Sequence, residues 1–123
     1  SLQNSVVHRA FHSLIEKGKN VFDLSGKLNL REFFSVVSKL DLLVGLESLS
    51  VHVASAVNTR TIEIHSSTTN PKVMGCSSKQ AKIIFNQVKC PCCKEYFCPR
   101  NEGVKQISVN DVKKAIINRT NGN

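Results

Sequence analysis

The stretch LESLSVHVASAVNTRTIEI, residues 46–64, decides the fold class. Leu49, Val51 and Val53 alternate with Ser50, His52 and Ala54, and Thr61–Ile64 follow after SAVNTR. Alternation with a period of two marks half-buried strands, so the stretch reads as two short strands paired as a hairpin. Leu46, Leu49 and Val53 also keep the helical period, which makes a helix through 46–57 the competing assignment. The hairpin reading gives a small α+β domain: N-terminal helices and a β-hairpin over one core, followed by a basic, cysteine-rich segment.

The sequence on the N-terminal side supplies the helices. Val6, Val7, Ala10, Phe11, Leu14 and Ile15 line one face of a helix over 3–18. His8 and His12 lie four apart on it and are read as surface histidines, since no third ligand is near. The stretch VFDLSGKLNLREFF, 21–34, resembles the loop and exit of an EF-hand, with Gly26 at the turn and Glu32 at the closing position. Val21 stands where the first ligand must be and Lys27 lies inside the loop, so calcium is rejected. What remains is a turn ending at Asn29, which N-caps a helix and has Glu32 three residues on. Leu30, Phe33, Phe34, Val37 and Leu40 form the core face of that helix.

On the C-terminal side, SSTTNPKVMG (66–75) is a polar loop that divides a 1–69 core from a 70–123 segment within one compact domain. Ser77 through Val88 reads as a helix with a Ser77–Gln80 capping pair. Its apolar face is Ala81, Ile84, Phe85 and Val88, and its basic face is Lys79, Lys82, Asn86 and Lys89. A last helix is expected to start at Ser108 with Asp111 in its first turn, and the tail NRTNGN to be loose.

Charge and cysteines both concentrate in this second part. Net charge is +8: residues 1–69 carry seven Lys/Arg against six Asp/Glu, residues 70–123 ten against three. A one-sided basic excess suggests a surface for polyanions. Four of the five cysteines fall within residues 90–98. An odd count with Cys92 beside Cys93 argues against a secreted disulfide framework and for reduced thiols in an intracellular protein of cytoplasm or nucleus. No apolar run approaches the roughly 18 residues of a membrane span.

The C-x2-C-x4-C of Cys90, Cys93 and Cys98 is a tetrahedral-zinc spacing. Over nine residues it resembles the first three ligand positions of the zinc knuckle of retroviral nucleocapsids, with Cys98 in place of histidine and Gly103 where the fourth ligand belongs. Cys76 is the expected fourth ligand, with His65 and Cys92 as alternates, for one Zn2+ per chain. Three thiolates are a poor set for activating water without a His or Glu base. Nothing around Glu95, which lies inside the loop, resembles the H-x-E of zinc deaminases, so a binding protein is favoured over an enzyme. The resulting expectation is a zinc-containing nucleic-acid-binding protein, for RNA or single strands. Lys79, Lys82, Lys89, Lys94, Arg100 and Lys105 would lie on phosphates and Tyr96 against a base. The alternative is a zinc-stabilised protein–protein interaction module with an acidic partner, of viral accessory or replication-associated type. The apolar N-terminal helices are compatible with a homo-oligomer under either reading.

Overall fold

A computed structural model describes residues 20–88 and 102–121. The helix expected over 3–18 lies outside these residues, as do Lys89, Cys90, Cys92, Cys93, Lys94, Tyr96, Cys98 and Arg100. The chain divides into two compact units, residues 1–32 and 33–123.

In the first unit the turn is built as its sequence requires. Ser25 N–H donates to Asp23 Oδ1 at 2.9 Å, Lys27 N–H donates to Leu24 O, and Gly26 takes φ +69°. Asn29 then caps α1 (Leu30–Ser38): its Oδ1 accepts from Glu32 N–H at 3.0 Å, while its own N–H donates to Glu32 Oε2 at 2.8 Å. Of the expected core face only Val37 is buried and Phe33 partly so; Leu30, Phe34 and Leu40 are exposed.

The second unit is organised by a parallel sheet. After α1 come β1 (Leu43–Leu46), α2 (Leu49–Ala56), β2 (Thr61–His65), α3 (Pro71–Met74), β3 (Ala81–Phe85), α4 (Glu102–Lys105) and α5 (Val109–Thr120). Strand order is β1-β2-β3, all parallel, with Leu43 opposite Thr61 and Thr61 opposite Ala81. The mixed α+β class therefore stands, but the hairpin does not. Its first strand is helix α2, and parallel neighbours need such a crossover. The alternation of Val51 and Val53 was misleading, because Val51 with Ala54 and Val53 with Val57 satisfy the helical spacing equally well. α2 ends in a Schellman motif: Asn58, at φ 60°, donates to Ser55 O, and Thr59 N–H donates to Ala54 O.

The helix expected over 77–88 is strand β3 instead. Gln80 N–H bonds to Ser78 Oγ and Ala81 N–H to Ser78 O, so the apparent capping pair is a turn. Ile83, Ile84 and Phe85 suit a paired strand better than a helix. Lys79 therefore sits in the turn, Lys82 on the strand and Lys105 on α4, all exposed; no helical face gathers them. α5 starts where the sequence places it, with a complete capping box between Ser108 and Asp111. It continues through Asn118–Thr120, which are helical rather than loose, with Thr120 Oγ1 bonded back to Ile116 O.

The core joins Val37, Leu43, Val51, Val53, Ala54 and Cys76, with Phe33, Val57 and Ala81 packed around them. Thr59 Oγ1 donates to Val37 O at 2.9 Å, tying the entry of β2 to α1. α5 lies against β2. Alternation along the paired strands puts Leu43, Thr61, Glu63, His65, Ala81, Ile83 and Phe85 on one face of the sheet and Val44, Leu46, Ile62, Ile64, Lys82 and Ile84 on the other. Among the described residues no helix is long and apolar enough to cross a membrane.

Candidate functional site

Open parallel sheets bind ligands outside the carboxyl ends of their strands, because the loops that leave those ends converge there with the N-termini of the following helices. In this chain that edge holds the buried charge. Glu47 is the residue after β1, His65 is the last of β2, and Glu63 precedes His65 by two on the same face. The polar loop Ser66–Thr69 follows directly.

His65 is fully buried between two carboxylates: Nδ1 lies 2.5 Å from Glu63 Oε1 and Nε2 lies 2.8 Å from Glu47 Oε2. Glu63, also fully buried, uses its second oxygen to accept the Cys76 N–H at 2.6 Å. A charge taken out of water must be paired and hydrogen-bonded, and Glu63 satisfies both conditions. Phe85, opposite His65 in the β2–β3 register, meets the imidazole edge-on with centroids 5.8 Å apart. Glu47 is the member of the group that reaches outward, its side chain 23% exposed. Its Oε2 also accepts from Thr69 Oγ1 at 2.7 Å, and its Oε1 from Ser66 Oγ at 2.9 Å. Ser66 Oγ in turn lies 2.7 Å from Thr68 Oγ1.

Beside Glu47, α2 begins at Leu49. The side chain of its N-cap Ser48 bonds to no backbone N–H of the first turn; the hydroxyl instead donates to Leu46 O and hydrogen-bonds with Ser50 Oγ. The first turn's backbone N–H groups, and the positive end of the helix dipole, therefore carry no side-chain cap from Ser48. α2 packs over β1 at Gly45, where a Cβ would stand 3.3 Å from Ser50 Oγ, a tight contact, and 3.6 Å from Val51 Cγ1, an ordinary one. A second glycine supports the loop. Gly103, buried in α4, packs directly on Ser67, leaving no room for a side chain.

Glu47, Glu63 and His65 each offer a ligand atom, all within 4.8 Å of one another. Two donors on one zinc, each at about 2.0–2.2 Å, would stand about 3 Å or more apart. The contacts here are shorter: Nδ1 hydrogen-bonds to Glu63 Oε1, while Nε2 is hydrogen-bonded to Thr69 Oγ1 at 3.0 Å and stands against Glu47 Oε2 as an ion-pair contact. His65, expected as an alternate zinc ligand, is thus the centre of a carboxylate–imidazole–carboxylate chain. Cys76, the expected fourth ligand, is buried in the core with its thiol donating to Val51 O at 3.4 Å. Gly103, at the knuckle's fourth-ligand position, is the packing glycine under the 66–69 loop. The remaining cluster cysteines lie outside the described residues.

The sequence reading missed Glu47, Glu63, Ser66, Thr68 and Thr69. The signal was present in TIEIH: Glu and His two apart on a strand share a face, and the strand's other face is apolar. A cavity of about 530 Å³ opens at the opposite, amino edge of the sheet, lined by Leu40, Asp41, Asn58 and Gln80 among others. It holds no comparable buried charge. In comparison with known proteins, the model of Glycosyltransferase family 9 (heptosyltransferase) matches residues 4–103. No curated protein and no solved structure matches.

Proposed function

The chain belongs to glycosyltransferase family 9, the heptosyltransferase family, and from that premise we propose that it binds a sugar nucleotide at the carboxyl edge of its sheet for transfer of the sugar to an acceptor. Membership overturns the zinc-containing nucleic-acid-binding reading, its zinc-finger and RNA-binding character and its RNA partner. It equally displaces the protein–protein interaction alternative. The basic excess and the cysteine spacing were compositional signals, and neither specifies a reaction.

The observation that carries the proposal is the position of Glu47. It is a partly exposed carboxylate at the end of a parallel strand, one residue before a helix N-terminus, with hydroxyls on both sides. A sugar nucleotide presents two chemistries that this arrangement complements. Its diphosphate suits the positive end of α2, where backbone N–H groups of the first turn face an anion. Its sugar hydroxyls suit a carboxylate acceptor and the Ser66 and Thr68 hydroxyls. In the transfer, the acceptor hydroxyl oxygen bonds to the anomeric carbon as that carbon's bond to the phosphate oxygen breaks. The nucleoside diphosphate leaves with the electron pair and the acceptor's proton goes to a base. The residues assigned here hold the donor for that step.

Calorimetric titration with ADP-glucose and UDP-glucose tests the proposal. Saturable binding of at least one is expected, weakened about tenfold or more by Glu47→Gln, the loss typical of a hydrogen bond to a charged group. Absence of binding, or binding indifferent to Glu47→Gln, would count against it.

A further inference from the structure

Resting on the donor-binding reading above, we propose that His65, locked by Glu63, is a positioning residue that fixes the carboxylate of Glu47 for the donor sugar. Glu47 stands in the short link between β1 and α2, where its flexible side chain has no backbone element to hold it. His65 stands on the central strand, fully buried, and cannot reach a ligand itself. What it can do is transmit the rigidity of the core to the loop.

The transmission is a continuous series of short contacts. The Cys76 backbone N–H fixes Glu63 Oε2 at 2.6 Å, and Glu63 Oε1 fixes His65 Nδ1 at 2.5 Å. The edge contact with Phe85 restrains the ring plane. The remaining ring nitrogen, Nε2, then points at Glu47 Oε2, 2.8 Å away. Thr69 Oγ1 lies 3.0 Å from the same nitrogen and donates to the same oxygen. Each carboxylate oxygen can accept about two hydrogen bonds. Oε2 is held by the Thr69 hydrogen bond and the close His65 Nε2 contact, whereas among the described residues Oε1 accepts from Ser66 Oγ alone. The carboxylate is therefore anchored through one oxygen and keeps acceptor capacity on the other. A donor hydroxyl meets Oε1 in a fixed plane, which is how supporting contacts convert a side chain on a loop into a precise acceptor.

This role makes a distinction that plain structural support does not. Losing the anchor releases Glu47 and so affects sugar recognition, while the first turn of α2, which receives the phosphates, keeps its backbone. The test measures affinities for ADP, UDP, ADP-glucose and UDP-glucose by calorimetry in the wild type, His65→Phe and His65→Gln. Phenylalanine retains the ring's bulk and its contact with Phe85 but carries no nitrogen; glutamine restores an N–H near the place of Nε2. The preference for the sugar nucleotide over its parent diphosphate should fall about tenfold in His65→Phe and recover in part in His65→Gln. Affinity for the parent diphosphate should change less than twofold. Should His65→Phe not fold, Thr69→Val removes the other anchor of Oε2 and should lower the same ratio. An unchanged ratio in these variants, or a parallel loss for diphosphate and sugar nucleotide, would overturn the inference while leaving the donor-binding reading in place. Wild-type protein that binds none of the four probes would overturn that reading, and the inference with it.

Discussion

Replacing Glu63 with leucine puts the buried chain under the most direct strain. Glu63 is 0% exposed and serves two donors, His65 Nδ1 and the Cys76 N–H. Leucine fills most of the volume but accepts nothing, so both donors are left in the core without a partner. An unsatisfied buried donor costs about 1–3 kcal/mol, and breaking a buried ion pair by removing one partner about 3–5 kcal/mol. The apolar gain from leucine offsets part of this, leaving an expected loss of about 3 kcal/mol. Against a typical domain stability of about 5–15 kcal/mol that is a large fraction. Urea unfolding followed by far-ultraviolet circular dichroism reads it as a lowered midpoint at constant slope. Glu63→Gln keeps an acceptor for one donor and should cost about 1 kcal/mol. Combining Glu63→Leu with His65→Phe removes both partners of the contact and should recover stability relative to Glu63→Leu alone, with a coupling of about 1–3 kcal/mol. If Glu63→Leu unfolds at the wild-type midpoint or later, Glu63 is not the buried, doubly bonded group described here.

Two further predictions concern the supports of the site. Gly103→Ala would drive a methyl group into Ser67, within 3.0 Å of its backbone nitrogen. It should cost about 1–3 kcal/mol as overpacking and shift the amide resonances of Ser66–Thr69, while Gly26→Ala, with open space around it but φ +69°, should leave those resonances in place. Asp111 is held below its ordinary value of 3.8 by hydrogen bonds from the Ser108 side chain and backbone, with a smaller contribution from Lys114. Because the folded value is the lower one, the capping contribution is fully present above about pH 4 and is lost as pH falls through the depressed value. Ser108→Ala should raise the Asp111 midpoint toward 3.8, followed by carboxyl-carbon NMR; an unmoved midpoint would contradict the assignment.

The parts of the fold that could be read from sequence are those fixed by neighbours three or four residues away. Asn29 with Glu32 and Ser108 with Asp111 each specify a helix start locally, and both starts are where those pairs place them. Thr61–Ile64 is legible as a strand because β-branched residues flank a polar one in a short run. β1 is only four residues, LVGL, and carries no alternation long enough to distinguish it from a helix end. β3 was obscured by Ser77 and Gln80, which imitate a cap when the partner strand is unknown. The site was less legible still. Glu47, Glu63 and His65 are brought together by parallel register and by the placement of Cys76, relations that no local spacing encodes. The cysteine cluster, by contrast, is compact in sequence and so dominated the reading without bearing on this edge of the sheet.

The central claim is that a sugar nucleotide occupies the carboxyl edge of the sheet. The measurement that tests it most directly is a two-dimensional amide NMR titration of the isotopically labelled chain with ADP-glucose and UDP-glucose. The account predicts saturable shifts concentrated at Gly45–Val51 and His65–Thr69, with Asn58, Arg60 and Gln80 at the amino edge unaffected. Shifts confined to the amino edge, or none with either donor, would contradict it.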